Sequence, residues 1–272
     1  MLQIIFFAIL VGVAISLVPN EKARPLLQVF EGLNEVMIQI VRLVIRLAPY
    51  GVFALIASVV ANFGFRILLA LLKYALITIA GLMILNFLYP PIVRLLSGMR
   101  PMEFMRGIRP AQLIAFSTSS SSATLPVTIQ CAVDNLGVPM DIASFVLPLG
   151  ATINMNGTAL YQGVSAVFIA QVYGMHLTLT DQLTIVVTAT LAAVGTAGAP
   201  GVGMLMLVTV LKQVGIPLEG IALILGVERI LDMFRTVINI TGDASAAVIV
   251  AASEGELNAP ASSRQDRKTG RE

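Results

Sequence analysis

The chain has 272 residues, of which 57% are hydrophobic and 12% charged, and its formal net charge is +2. So few charges cannot cover the surface of a soluble domain of this length, whereas lipid accepts apolar side chains without penalty. The near-neutral charge argues against nucleic acid as a partner. The composition, with a mean hydropathy of +0.90, therefore predicts an integral membrane protein embedded in a lipid bilayer.

Long apolar stretches lead the chain, and each ends in a charged or Pro/Gly cluster. The spanning rule of about 20 residues predicts membrane helices at about residues 2–18, 29–48, 51–63 and 67–97. The first stretch lacks a basic region before it and a small-residue cleavage site after it. It is therefore predicted to be a membrane helix and not a signal peptide.

After Gly98 the apolar segments become short and are interrupted by small polar residues. Residues 103–135 contain two short helical patterns around Ser117–Pro126, and residues 181–214 repeat this plan around Gly195–Gly203. Each half is too short to span a bilayer, so both pairs are predicted to be re-entrant hairpins whose tips stop inside the membrane. Two interrupted segments in corresponding positions indicate a transporter with a binding site near the membrane midplane.

Each predicted hairpin is followed by a longer apolar segment, at residues 142–172 and 219–251. In the first, Gly150–Thr158 concentrates Asn, Gly and Thr, which are poor choices for a helix interior. The helix is expected to unwind there and to turn carbonyl oxygens inward as a cation site; a polar kink packed against neighbours is the alternative. Residues 252–272 are polar and charged and are predicted to be a disordered tail, whose basic residues favour the cytoplasmic side.

The last apolar segment carries the sharpest signal, a polar stripe at spacings of three or four residues. The stripe consists of Glu228, Asp232, Arg235, Thr236, Asn239 and Asp243. An unpaired charge at the centre of a membrane helix costs at least about 2.5–3.5 kcal/mol, so this face must meet polar surroundings. A guanidinium suits a carboxylate, a nearby Asp suits an ammonium group, and a second Asp with Asn and carbonyls suits a hard cation. The alternative is that Asp232 and Arg235 merely pair with each other.

Together these segments resemble the dicarboxylate/amino acid:cation symporters, the family of the excitatory glutamate transporters and the prokaryotic aspartate transporters. The matching motifs, in order, are SSSSATLP, GATINMNGTALYQG, GTAGAPGVG and DMFRTVINITGD. The resemblance implies an all-α integral membrane fold with glutamate-transporter-like helices, two re-entrant helical hairpins and an unwound membrane helix, and lacking the first three family helices. Residues 1–98 would be membrane helices of the scaffold and the start of the transport domain, and residues 99–251 the transport core.

The resemblance also implies a substrate site. Arg235 would hold the side-chain carboxylate of an acidic amino acid, and Asp232 its amino group. The remaining substrate-binding positions are Thr158, Thr236 and Asn239, with Ser119 and Ser121 at the first tip and Ala199 and Gly203 at the second.

Two sodium sites follow from the same resemblance. One is formed by Asp243 with Gly150, Asn154 and Asn239, and the other by Thr152 and Met155 with Ala193, Val194 and Thr196. Asn156 stands where the family usually has an Asp of a third sodium site. Gln162 stands where mammalian members have a Glu linked to proton and potassium coupling, so that step is expected to be absent.

The implied function is symport of L-aspartate or L-glutamate with sodium ions, by elevator-type movement within a homotrimer in the plasma or inner membrane. No cofactor and no enzymatic activity are expected, and protons stay open as the coupled cation. The alternatives are a C4-dicarboxylate:cation symporter and a truncated subunit that does not transport. An intramembrane hydrolase using Ser119–Ser122 is a further alternative, but its only candidate base, His176, is predicted to be remote.

Overall fold

The computed structural model describes residues 2–194, 196 and 198–258. Within these residues the chain folds into α-helices joined by short turns, without a strand. The helices are α1 Leu2–Ser16, α2 Asn20–Phe63, α3 Arg66–Ser97, α4 Pro101–Thr118, α5 Ser121–Gln130, α6 Met140–Ile153, α7 Asn156–Val172, α8 Leu179–Val194, α9 Val202–Val214 and α10 Ile221–Ser253. The predicted all-α class is confirmed.

Helix α2 differs from the prediction, because its 44 residues form one helix where two were expected at residues 29–48 and 51–63. The expected break at Pro49–Gly51 does not occur. A proline removes one main-chain hydrogen bond and a glycine is only mildly unfavourable, so neither must end so long a helix. The helix ends instead at Gly64, whose φ of 75° is open to glycine and whose N–H donates to the Val60 carbonyl at 2.8 Å.

Helix α3 corresponds to the predicted span at residues 67–97. Among the described residues, the segment Ile67–Ser97 is the one helix whose length and composition would suffice to cross a membrane, and α8 and α9 are shorter apolar helices. One face of α3 is buried and includes Tyr74, Thr78, Leu82, Asn86, Tyr89 and Val93. The opposite face exposes large apolar side chains, including Leu72, Leu76, Ile84 and Phe87.

The two predicted hairpins each consist of two short packed helices, α4 with α5 and α8 with α9. The first pair breaks at Ser119, which takes the left-handed conformation with φ of 53°. Helix α5 then runs into a π-helical turn, Cys131–Asn135, that the sequence pattern did not indicate. That the two tips lie inside a membrane remains a prediction.

The predicted unwinding between α6 and α7 is confirmed, but it is narrow. Only Asn154 and Met155 leave the helical conformation, with ψ of 64° and 60°. Helix α10, which follows a 3-10 turn at Leu218–Gly220, packs against α3, α4, α6 and α7 and forms the centre of the bundle. It ends at Ser253, and most of the predicted tail, residues 259–272, lies outside the described residues.

Gly107 allows α4 to pack closely on the π-helical turn. A Cβ at this position would overlap the side chain of Leu136, which is fully buried. Because overpacking a core costs about 1–3 kcal/mol, we expect Gly107→Ala to lower the thermal midpoint of unfolding. The buried Cys131, the single cysteine of the chain, provides the readout, since a thiol-reactive dye becomes fluorescent as heating exposes it.

Gly163→Ala is the matched control. Its added Cβ meets no atom within 4 Å, and the residue lies inside α7. Alanine is favoured over glycine by about 0.5–1 kcal/mol in a helix interior, so the midpoint should stay the same or rise. Equal midpoints for Gly107→Ala and the unmodified chain would contradict the packing argument.

Candidate functional site

A small polar cavity lies where the two helical pairs, the α6–α7 break and α10 meet. Its volume is about 10 Å³, which is room for roughly one water molecule. It is lined by Ser119, Ser121, Met155, Thr158, Thr196, Gly198, Ala199, Gly203, Asp232, Arg235, Thr236 and Asn239. All nine residues predicted to bind substrate are among them.

The charged centre of this cavity is on α10. Arg235 and Asp232 are only 2% and 4% exposed, and the Arg235 guanidinium donates to Asp232 Oδ1 at 2.5 Å. The same Nη2 lies 3.2 Å from Oε1 of Glu228, which is also buried. The pairing of Asp232 with Arg235 that the sequence left open is therefore present, but the guanidinium is shared between two carboxylates.

The surroundings of Arg235 come from two other helices. The ring of Tyr161, on α7, lies 4.5 Å from the guanidinium carbon, a distance at which cation–π attraction stabilises the charge. On α9, a Cβ at Gly203 would lie 2.9 Å from the same carbon. Only glycine therefore lets α9 lie this close to the guanidinium.

The second tip, residues 198–201, is attached to both α10 and the first tip, residues 119–122. The Gly201 N–H donates to Asp232 Oδ2 at 3.0 Å. The Gly198 carbonyl accepts from the Ser120 hydroxyl at 2.7 Å and from the Ser122 N–H at 3.1 Å. The two tips thus meet directly and close the cavity.

Helix termini give this cavity a favourable potential for anions. Ser121, Thr158 and Gly203 line it from the first turns of α5, α7 and α9. The N-terminal turns of helices carry free N–H groups and a partial positive charge. Three such turns, together with Arg235, suit a ligand that carries two carboxylates.

The structure also brings together the residues of the first predicted sodium site. Asp243 is 2% exposed, and its Oδ1 accepts from Asn154 Nδ2 at 2.9 Å. A Cβ at Gly150 would lie 2.6 Å from that oxygen, so α6 approaches the carboxylate closely. Asp243 forms no ion pair with a described residue, and a buried carboxylate without a cationic partner fits a hard cation.

Asn239 connects this carboxylate region to the cavity. Its Oδ1 accepts from the Gly157 N–H at 2.8 Å, and its Nδ2 donates to the Thr158 hydroxyl at 3.1 Å. The first turn of α7 is thereby held against α10, one turn away from Asp243.

The residues of the second predicted sodium site divide between those that line the cavity and those that do not. Met155 and Thr196 line the cavity, whereas Thr152, Ala193 and Val194 do not. Thr152 is exposed and its hydroxyl donates to the Leu149 carbonyl at 2.7 Å. Asn156 does not line the cavity, and its Nδ2 donates to the Tyr89 hydroxyl at 3.0 Å.

Tyr161 was not predicted to belong to the site, and Gln162 was not predicted to make a direct contact in it. Gln162 Nε2 donates to the Gly203 carbonyl at 2.9 Å and so holds α9 to α7. Both residues follow Thr158 by one helical turn, a spacing that indicates a shared face and could have identified them. His176, by contrast, is exposed in the α7–α8 loop and does not line the cavity, so the hydrolase alternative lacks its base.

Comparison with known proteins places the whole described bundle in one family. The model of the sodium:dicarboxylate symporter family matches residues 1–253. This chain belongs to that family. The sodium:dicarboxylate symporter family consists of transport proteins and not of enzymes.

Several curated relatives are about 40% identical. The proton/glutamate-aspartate symporter of Escherichia coli (strain K12) is 41% identical over 258 residues, which are 95% of this chain and 59% of that protein. The proton/sodium-glutamate symport protein of Bacillus subtilis (strain 168) is 40% identical over 95% of this chain and 60% of its own length. Human excitatory amino acid transporter 5 is 41% identical over 92% of this chain and 45% of its own length. The chain thus spans about half to three fifths of these relatives.

The contact between the two tips can be tested by accessibility. A Cβ at Gly198 would lie 2.7 Å from the Ser122 hydroxyl oxygen, so Gly198→Ala should separate the tips. We expect a cysteine at the buried position 158, as Thr158→Cys in a Cys131→Ser background, to react faster with a small thiol reagent when Gly198→Ala is also present.

The control is Gly163→Ala in the same background, which has open space around its Cβ. It should leave the labelling rate unchanged. A rate that Gly198→Ala also leaves unchanged would show that the tip contact does not limit access to the cavity.

Proposed function

We propose that this chain binds L-aspartate or L-glutamate together with sodium ions in the cavity and takes part in their symport across a membrane. The observation that carries the proposal is a set of buried donors without a partner. Arg235 Nη1 and the Ser119 hydroxyl make no hydrogen bond to a described residue, although both are buried at the cavity. Such donors cost stability unless a ligand satisfies them.

A bound substrate would replace part of the contact that Arg235 and Asp232 make with each other. Its side-chain carboxylate would take the free Nη1 and share the Arg235 guanidinium, and its ammonium group would take the Asp232 carboxylate. The α-carboxylate would lie near Ser121, at the first turn of α5. Thr158, Thr236 and Asn239 would supply side-chain hydrogen bonds, and Ala199 and Gly203 main-chain contacts.

An amino acid does not fit into a volume of about 10 Å³, so the cavity must open and close around it. The second tip is the element best suited to move. Three hydrogen bonds hold its Gly198 and Gly201 to the first tip and to Asp232. Substrate that binds Asp232 would compete with the Gly201 contact, which supports a gate at this tip ahead of an elevator-type movement.

Sodium is proposed at Asp243, Asn154, Gly150 and Asn239, with a second ion near Met155 and Thr196. The further ligands proposed for this second ion are Thr152, Ala193 and Val194. A third sodium site is proposed to include Asn156. The names of two relatives, a proton/glutamate-aspartate symporter and a proton/sodium-glutamate symport protein, support coupling to cations.

The surrounding membrane is part of the proposal. The apolar exposed face of α3 and the short apolar helices α8 and α9 support a multi-pass protein of the plasma or inner membrane, with re-entrant α4–α5 and α8–α9 pairs. We also propose a homotrimer, which the family resemblance supports. The chain spans 59% of its Escherichia coli relative, so we propose that it takes part in symport and not that it carries out transport alone.

The variant Asp232→Ser tests whether the substrate is an amino acid or a dicarboxylate without an ammonium group. Losing one partner of a buried charge pair costs about 2–5 kcal/mol, so L-aspartate binding should weaken by more than about 30-fold. Succinate, which has no ammonium group, should bind the variant at least as well as the unmodified chain. Isothermal calorimetry on the purified chain in lipid nanodiscs measures both affinities.

Asp134→Ser, at an exposed aspartate outside the cavity, is the matched control and should change neither affinity. Succinate binding to the unmodified chain as tightly as aspartate would favour the C4-dicarboxylate alternative. Aspartate binding without uptake into proteoliposomes would favour the alternative that this chain is a subunit that does not transport.

Sodium coupling predicts a second outcome. Two ligands that share one closed site must change each other's affinity reciprocally, so L-aspartate should bind more tightly in sodium chloride than in choline chloride. Asp243→Asn removes the buried charge and should reduce this difference, while Asp134→Asn should preserve it. Equal aspartate affinity in both salts for the unmodified chain would contradict sodium coupling.

A further inference from the structure

Glu228 is a buried acid that neither the substrate site nor the sodium sites use. It is 6% exposed, and neither carboxylate oxygen accepts a hydrogen bond of good geometry from a described residue. Among the described residues its only cationic neighbour is Arg235, whose Nη2 lies 3.2 Å from Oε1. A buried carboxylate held by a single shared guanidinium is poorly compensated.

The charges around Glu228 do not balance. On its own helix it faces the Arg235 cation and the Asp232 carboxylate, and from α7 it faces the hydroxyl of Tyr161. Tyr74 on α3 is the further titratable group nearby, and its hydroxyl is bonded to Ser165 at 2.7 Å. The described surroundings therefore hold two carboxylates, two neutral phenols and one cation.

Substrate binding would sharpen this imbalance. The side-chain carboxylate of an acidic amino acid would place a third negative group at the guanidinium that Glu228 and Asp232 already share. Asp232 would gain the ammonium group of the substrate in place of its contact with the Gly201 N–H. Glu228 would gain nothing and would lose part of Arg235, and carboxylates that share one cation in a buried site favour protonation of one of them.

We propose that Glu228 takes up a proton when an acidic amino acid binds Arg235, and that this proton travels with the substrate. The inference rests on the proposed function, since it requires the substrate carboxylate at Arg235. Gln162, the other long polar side chain close to the site, is an amide and cannot carry the proton. Protonation adds H⁺ to a Glu228 oxygen and removes one negative charge from the loaded site; no other bond changes.

The direction of the pH effect follows from linkage. If binding takes up a proton, the protonated protein binds more tightly, so the aspartate affinity falls as the pH rises, by at most about tenfold per pH unit. In Glu228→Gln the side chain is permanently neutral, and the pH dependence should disappear.

The experiment measures protons directly. L-Aspartate is titrated into the purified chain in nanodiscs at constant sodium, in calorimetry buffers of different ionisation enthalpy, and the slope of heat against that enthalpy counts the protons taken up. We expect about one proton per aspartate for the unmodified chain and for Asp134→Asn, and about none for Glu228→Gln. Glu228→Asp keeps a carboxylate and should keep the uptake, with the pH at which it occurs displaced.

The outcomes separate the two proposals. Absence of aspartate binding to the unmodified chain would overturn the proposed function. Binding without proton uptake, or uptake that persists in Glu228→Gln, would overturn the role of Glu228 alone. If Glu228→Gln does not fold, an unchanged pH profile in Glu228→Asp would overturn it, and a displaced profile would support it.

Discussion

A charged and polar stripe on a helix in the middle of an apolar bundle is the constraint on which the rest of this structure depends. Arg235, Asp232, Glu228 and Asp243 are all buried, and unpaired charges in such surroundings are too costly to remain unless other groups compensate them. Intact helices offer few free polar groups, since their main-chain N–H and carbonyl groups bond to each other. The breaks at the two tips and at Asn154–Met155 release such groups. They lie beside the polar stripe of α10, at the same cavity.

Glycines on neighbouring helices let those helices lie close enough to α10 to compensate its charges. A Cβ at Gly157 would lie 2.7 Å from the Arg235 carbonyl oxygen, one at Gly150 would meet Asp243, and one at Gly203 would meet the guanidinium. Three different helices therefore reach α10 through glycines. The compensation is nevertheless incomplete, because Arg235 Nη1 and the Ser119 hydroxyl keep unused donors. Each buried unsatisfied group costs about 1–3 kcal/mol, stability that a ligand restores when it binds.

In the proposed function the same charges would connect substrate recognition to cation coupling. Arg235 is shared by Asp232 and Glu228 in the closed cavity, so an arriving carboxylate must change how the negative charge is distributed. Asp243 lies about two turns further along the same helix and forms no ion pair with a described residue. Substrate, proton and sodium would therefore act on one rigid element, which is the physical requirement for two ligands to influence each other's binding.

Much of this could be predicted from the sequence, because local chemistry determines it: Ser, Gly and Asn in apolar segments indicated the breaks, and spacings of three and four placed Asp232, Arg235 and Asp243 on one face. Local signals also misled, since Pro49–Gly51 does not interrupt α2. The contact of Gly198 with Ser120 and Ser122, the stacking of Tyr161 on Arg235 and the sharing of Arg235 with Glu228 were decided only by the tertiary structure. These contacts join distant segments or depend on how a side chain turns within its helix, and packing alone sets which partner each charged group meets.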